Sequence, residues 1–93
     1  MSEVYHIIVS GLVQGVGYRF YTMGAAQNLE VAGWVRNLPS GDVEVLARIP
    51  EGRKAQFEGL LRKGPPASIV KNIQISRARE TQDCPTAGFT IRR

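Results

Sequence analysis

The chain has 93 residues, 43% hydrophobic and 22% charged, which suits one small globular domain over residues 1–93. No apolar run approaches the roughly 18–20 residues of a membrane span, and Cys84, the sole cysteine, excludes an intrachain disulfide. The net charge of +4 comes from nine arginines and three lysines scattered against eight acids, a balance that attracts small anions but lacks the clustered patch nucleic acid needs.

"MSEVYHIIVSG" opens acidic and polar, without the basic segment and cleavage site of a signal peptide, so a cytoplasmic location is expected. "EVYHIIVSGLV" is rich in β-branched residues and reads as a first strand. A glycine-rich loop follows, and "RFYTMGAAQNLE" reads as a helix of about three turns. Its expected inward face is Tyr21, Ala25 and Leu29, at i, i+4 and i+8. Gly24 within that helix costs about 1 kcal/mol relative to alanine unless something packs closely there. "VAGWVRN" and "DVEVLARI" are strands joined by the turn "LPSG". In the second of them Val43, Val45, Ala47 and Ile49 alternate with a mainly polar face of Asp42, Glu44, Leu46 and Arg48.

"RKAQFEGLLRK" is an amphipathic helix burying Phe57, Leu60 and Leu61, stopped by "GPP". "SIVKNIQISRARE" and "GFTIRR" complete a β-α-β-β-α-β order with a short C-terminal strand. An α+β, ferredoxin-like sandwich follows, an antiparallel sheet carrying two helices on one face. In it the first two strands run the same way, so the glycine loop and Asn37, at their carboxyl ends, converge on one rim.

"QGVGYR" lies where a strand hands over to a helix. Successive amides at such a junction can face one concavity, and the helix N-terminus adds partial positive charge. Gly15 and Gly17 permit positive φ and leave room for an anion. Arg19 adds a guanidinium fork suited to phosphate or carboxylate. The loop lacks the GK[ST] of a Walker A motif and the last glycine of a dinucleotide fingerprint. On pattern alone, an anion cradle and a purely structural turn both remain open.

Asn37, at a strand end before "LPSG", reads first as a turn former when taken alone. Trp34 and Val35 belong to the packing of the sheet, although a tryptophan can also line a pocket. His6 is a strand residue with no second histidine to share a metal. Cys84 has no base or cation beside it in sequence and reads as a bystander thiol.

"GLVQGVGYRFYT" and "GWVRNLPSGDVEV" resemble the two signature segments of the acylphosphatases, in the family's order and with its eighteen-residue step from Arg19 to Asn37. The likeness continues through "LLRKGPPASIV" and "GFTIRR". It implies hydrolysis of the carboxyl–phosphate bond of acyl phosphates, with inorganic phosphate as product and no metal or organic cofactor. It also implies phosphate binding by Arg19 and the amides of Gly15, Val16, Gly17, Tyr18 and Arg19, with Asn37 positioning the attacking water. Tyr18 replaces a common phenylalanine, which should be tolerated. Glu30 replaces a common glycine, so the first helix is expected to end differently, through Asn28 for instance.

The chemistry is coherent without the likeness. Neither signature segment carries a general acid between Gln14 and Arg19 or between Gly33 and Leu38. A carboxylate leaving group, with a conjugate acid of pKa about 4, needs none. If the last strand ends beside the loop, the Arg93 carboxylate could brace Arg19; a frayed terminus is the other outcome. An RNA-recognition module is disfavoured because "DVEVLARI" has no aromatic residue. A catalytically idle anion-binding module is the surviving alternative. A small-molecule substrate, no nucleic acid, no membrane and a monomeric state are the remaining expectations.

Overall fold

The computed structural model describes residues 1–93. Its elements are β1 (Ser2–Leu12), α1 (Tyr18–Asn28), β2 (Ala32–Asn37), β3 (Val43–Pro50), α2 (Lys54–Lys63), β4 (Ile69–Arg77) and β5 (Phe89–Ile91). They form one five-stranded sheet in the order β4-β1-β3-β2-β5. β3 pairs antiparallel with both β1 and β2, so β1 and β2 run in the same direction. β5 lies parallel to β2, with Val35 opposite Ile91, which makes the sheet mixed at that edge.

Alternation sorts the strand residues between two faces. Ile7 and Val9 of β1 and Val43, Val45, Ala47 and Ile49 of β3 join Tyr18, Ala25, Ala26, Phe57 and Leu61 of the helices in the main core. Leu46, from the face expected to be mainly polar, is instead buried with Val4, Trp34 and Cys84. The segment after β4 covers that face, and Arg48 donates there to the Cys84 and Pro85 carbonyls at 3.1 Å. Burial raises the Cys84 thiol above its ordinary pKa, against the opposing charge of Arg48. The thiol therefore stays protonated at neutral pH, as a bystander would.

The buried stripe of α1 is rotated from the expected one. Tyr18, Thr22, Ala25 and Ala26 are buried, whereas Tyr21 sits at the margin. Thr22 can face the core because its hydroxyl donates to the Tyr18 carbonyl at 2.9 Å, leaving only its methyl to pack. Tyr18 and Tyr21 donate their hydroxyls to the Leu61 and Leu60 carbonyls, each at 2.7 Å. These acceptors belong to the last turn of α2, where the Leu60 carbonyl also accepts from the Gly64 N–H at 3.0 Å. In α2, Phe57 and Leu61 are fully buried and Leu60 partly so.

The end of α1 also departs from expectation. Glu30, not Asn28, takes the left-handed conformation, at φ 58°. Val31 donates to the Ala26 carbonyl at 2.8 Å and Glu30 to the Gln27 carbonyl at 3.3 Å, which is a Schellman closure. The non-glycine penalty is offset by Arg53, whose Nη1 donates to the Leu29 carbonyl at 2.7 Å and to the Glu30 carboxylate at 2.9 Å.

Gly33 of β2 is required by close approach. At φ 149°, a Cβ there would lie 1.9 Å from the Leu46 carbonyl oxygen across the β2–β3 pair.

Candidate active site

The loop between β1 and α1 is built around two left-handed glycines, Gly15 at φ 74° and Gly17 at φ 82°. Nothing lies within 4 Å of where a Cβ would stand on either. The protein therefore does not crowd these positions; the backbone conformation and the open space beside it call for glycine. Gly17 precedes α1, and the first helical bond runs from Tyr21 N–H to the Gly17 carbonyl at 3.0 Å. From Gln14 through Phe20, no backbone N–H donates to any acceptor in the protein. Such a run of free donors at a helix N-terminus is an anion-binding arrangement.

Alternation along β2 turns Asn37 to the same side as buried Val35, toward the helices and the loop. Gly15, Gly17, Tyr18, Arg19 and Asn37 thus line one cavity of ≈ 170 Å³, together with Val13, Phe20 and Ile91. Val16 packs on the core beneath it. Larger hollows lie elsewhere, ≈ 410 Å³ beside Gln27 and Phe89, ≈ 340 Å³ beside Arg77 and Arg79 and ≈ 250 Å³ beside Met1 and Glu51. None of the three is lined by the amides of the glycine loop.

Arg19 stands in no ion pair. Its Nη1 donates only a long bond, 3.5 Å, to the carbonyl of Arg92. The last strand does end beside the loop, but the partner there is this main-chain oxygen and not the Arg93 carboxylate. An unpaired guanidinium at the positive end of a helix is electrostatically unfavourable until an anion arrives. Asn37 is similarly uncommitted: its Oδ1 is buried without a hydrogen-bond partner. Each such acceptor costs about 1–3 kcal/mol and is tolerated chiefly where function needs it.

Three supports were not foreseen from the sequence. Gln14 Nε2 donates to the Leu38 and Asp42 carbonyls, both at 2.8 Å, tying the loop to the hairpin behind Asn37. Tyr18 anchors the other end of the loop through its bond to α2. Arg92 forms a two-pronged pair with Asp83 at 3.0 and 3.1 Å and lies 4.6 Å over the Trp34 ring, with Arg36 5.1 Å from the same ring. The hydrogen bonds from Arg92 hold the Asp83 carboxyl below its usual pKa. Trp34 therefore serves packing on the face away from the cavity. Only Gln14 left a signal, an amide inside the loop next to the turn that the topology brings near it.

His6 and Arg36 both reach Glu44 on that far face, at 2.6 and 2.5 Å. Partial burial pushes the Glu44 carboxyl up, but those two hydrogen bonds and the accompanying charges outweigh it and hold it below the usual range. His6 is a structural partner in this cluster and does not line the cavity. Within the cavity wall, burial and the neighbouring Tyr21 push the Tyr18 hydroxyl far above its ordinary pKa, with Thr22 opposing.

Comparison with known proteins identifies the family and the fold. A family model described as Acylphosphatase matches residues 5–91. A protein of Chlorobaculum tepidum named Acylphosphatase is 43% identical over 79 residues, which cover 85% of this chain and 86% of that one. The crystal structure of acylphosphatase from Bacillus subtilis matches with a TM-score of 0.89 over 100% of both chains, at 36% identity. That of an acylphosphatase from Coxiella burnetii matches at 0.83 and 32% identity over 98% of this chain and 93% of its own.

Proposed function

This chain belongs to the acylphosphatase family and hydrolyses the carboxyl–phosphate bond of acyl phosphates, and we propose that it does so by in-line attack of an Asn37-positioned water on a phosphoryl group held by Arg19 and the amides of Gly15, Val16, Gly17, Tyr18 and Arg19. The observation that carries this reading is the run of uncommitted amides from Gln14 through Phe20 beside an unpaired arginine. These donors stabilise charge on the equatorial phosphoryl oxygens without rearranging as the bond breaks.

The water oxygen bonds to phosphorus as the phosphorus–oxygen bond to the carboxylate breaks. That bonding pair leaves with the carboxylate, which needs no protonation at neutral pH. The water's proton passes to a phosphoryl oxygen, so a substrate dianion yields a carboxylate and monoanionic phosphate. The side-chain amide of Asn37, in the cavity wall, supplies a fixed polar contact for the water. Tyr18 and Arg19 are the only titratable side chains lining the cavity, and Tyr18 is held protonated by burial. The rate should therefore show no basic limb from the protein through the neutral range.

A monomeric enzyme of the cytoplasm fits a small-molecule substrate. No helix is long and apolar enough to cross a membrane.

The test follows benzoyl phosphate loss in EDTA for the wild type, Arg19→Ala, Arg19→Lys and Asn37→Ala. Removing an aligned donor of this kind costs about 10²–10³ in kcat. Lysine should not rescue, because it loses the two-pronged fork. Either alanine variant retaining turnover within about tenfold of wild type would remove that residue from the mechanism.

A further inference from the structure

The hydrolytic reading assigns the phosphoryl half of the substrate and leaves the acyl half without partners. The large apolar side chains exposed on this molecule are Met1, Leu12, Phe20, Ile69 and Ile91. Two of them, Phe20 at 72% exposure and Ile91 at 38%, line the same cavity as Arg19 and Asn37. Isolated exposed apolar residues need no explanation. Two on one catalytic wall, where the only charged lining residue is Arg19, call for one.

Phe20 follows Arg19 in the first turn of α1, and at such exposure its ring adds little to the stability of the fold. Ile91 is fixed by the parallel pairing with Val35 and by the Arg92 N–H, which donates to the Val35 carbonyl at 2.8 Å. The Asp83 and Trp34 contacts of Arg92 hold that strand end from the opposite face. In an acyl phosphate the acyl carbon stands two bonds from phosphorus. A phosphoryl group seated on the loop amides must therefore project its acyl group across the rim of this small cavity.

We propose that Phe20 and Ile91 form an acyl subsite that favours bulky apolar acyl groups, such as an aromatic ring, over a short one such as acetyl. The subsite rests on the hydrolytic reading of Arg19 and Asn37. A ring laid on Phe20 gains offset or edge-to-face contact and removes apolar surface from water. Acetyl is too short to reach as much of the wall.

The experiment measures kcat/KM for benzoyl phosphate and for acetyl phosphate in the wild type, Phe20→Ala and Phe20→Leu. Intrinsic reactivities of the two substrates differ, but they cancel when the benzoyl-to-acetyl ratio is compared between proteins. Phe20→Ala should lower that ratio about 3- to 10-fold, the worth of one aromatic contact at a half-open site. Phe20→Leu should restore only part of it, through the apolar area that leucine still offers. A ratio unmoved by Phe20→Ala, or equal losses on both substrates, would overturn the subsite while hydrolysis stands. Failure of the wild type to turn over either substrate would refute hydrolysis itself, and the subsite with it.

Discussion

Asn37→Leu separates function from stability, because the two should move in opposite directions. Leucine nearly matches asparagine in shape and removes the buried Oδ1 that has no partner. An acceptor in that condition costs about 1–3 kcal/mol, and leucine is better suited to a strand than asparagine. Against this, a leucine tip at the cavity wall leaves some apolar surface in water, a loss of up to about 1 kcal/mol. The expected net gain is therefore about 1 kcal/mol. For a domain of 93 residues that raises Tm by about 4–8 °C. Thermal unfolding followed by far-UV circular dichroism reads the gain, and kcat for benzoyl phosphate hydrolysis on the same sample should fall about 10²–10³-fold. A Tm lowered by several degrees would mean that the Asn37 amide is engaged in the folded protein. Preserved turnover would mean that it does not hold the water.

Two glycine substitutions should have opposite signs. Gly33→Ala places a Cβ 1.9 Å from the Leu46 carbonyl oxygen within the β2–β3 pair, so a loss of about 3 kcal/mol or more is expected. Gly24→Ala meets open space on α1 and should gain up to about 1 kcal/mol from helix propensity. Urea titrations of both variants check the pair, and losses in both would contradict the packing described here. Glu44→Gln should destabilise the protein at neutral pH by about 1.5–3 kcal/mol, through weakened bonds to Arg36 and His6. The folded-state pKa of Glu44 lies below its unfolded value. Its carboxylate therefore contributes stability above the unfolded value, and that contribution disappears as pH falls through the folded one. The gap between wild type and variant should close in acid; a gap of the same size at pH 3 and pH 7 would show that the charge is not its source.

What the sequence determined by itself is local. The alternation from Val43 to Ile49 specifies which side of β3 faces the helices, because strand periodicity is a property of neighbouring residues. The glycines before Arg19 announce a backbone turned toward an open concavity, and both do stand at positive φ. The element order brings that loop and Asn37 to one rim, since β1 and β2 run the same way. Tertiary structure decided what depends on distant neighbours. Packing set the buried stripe of α1 on Tyr18, Thr22, Ala25 and Ala26, and Glu30 took the left-handed cap with Arg53 beside it. The parallel seat of β5 on β2 brings Ile91 and the Arg92 carbonyl to Arg19 across 72 and 73 positions of chain. Gln14 reaches its carbonyl partners 24 and 28 residues away. No local pattern encodes those meetings, because propensity and periodicity act within an element, whereas the walls of the cavity arise only when separate elements pack together.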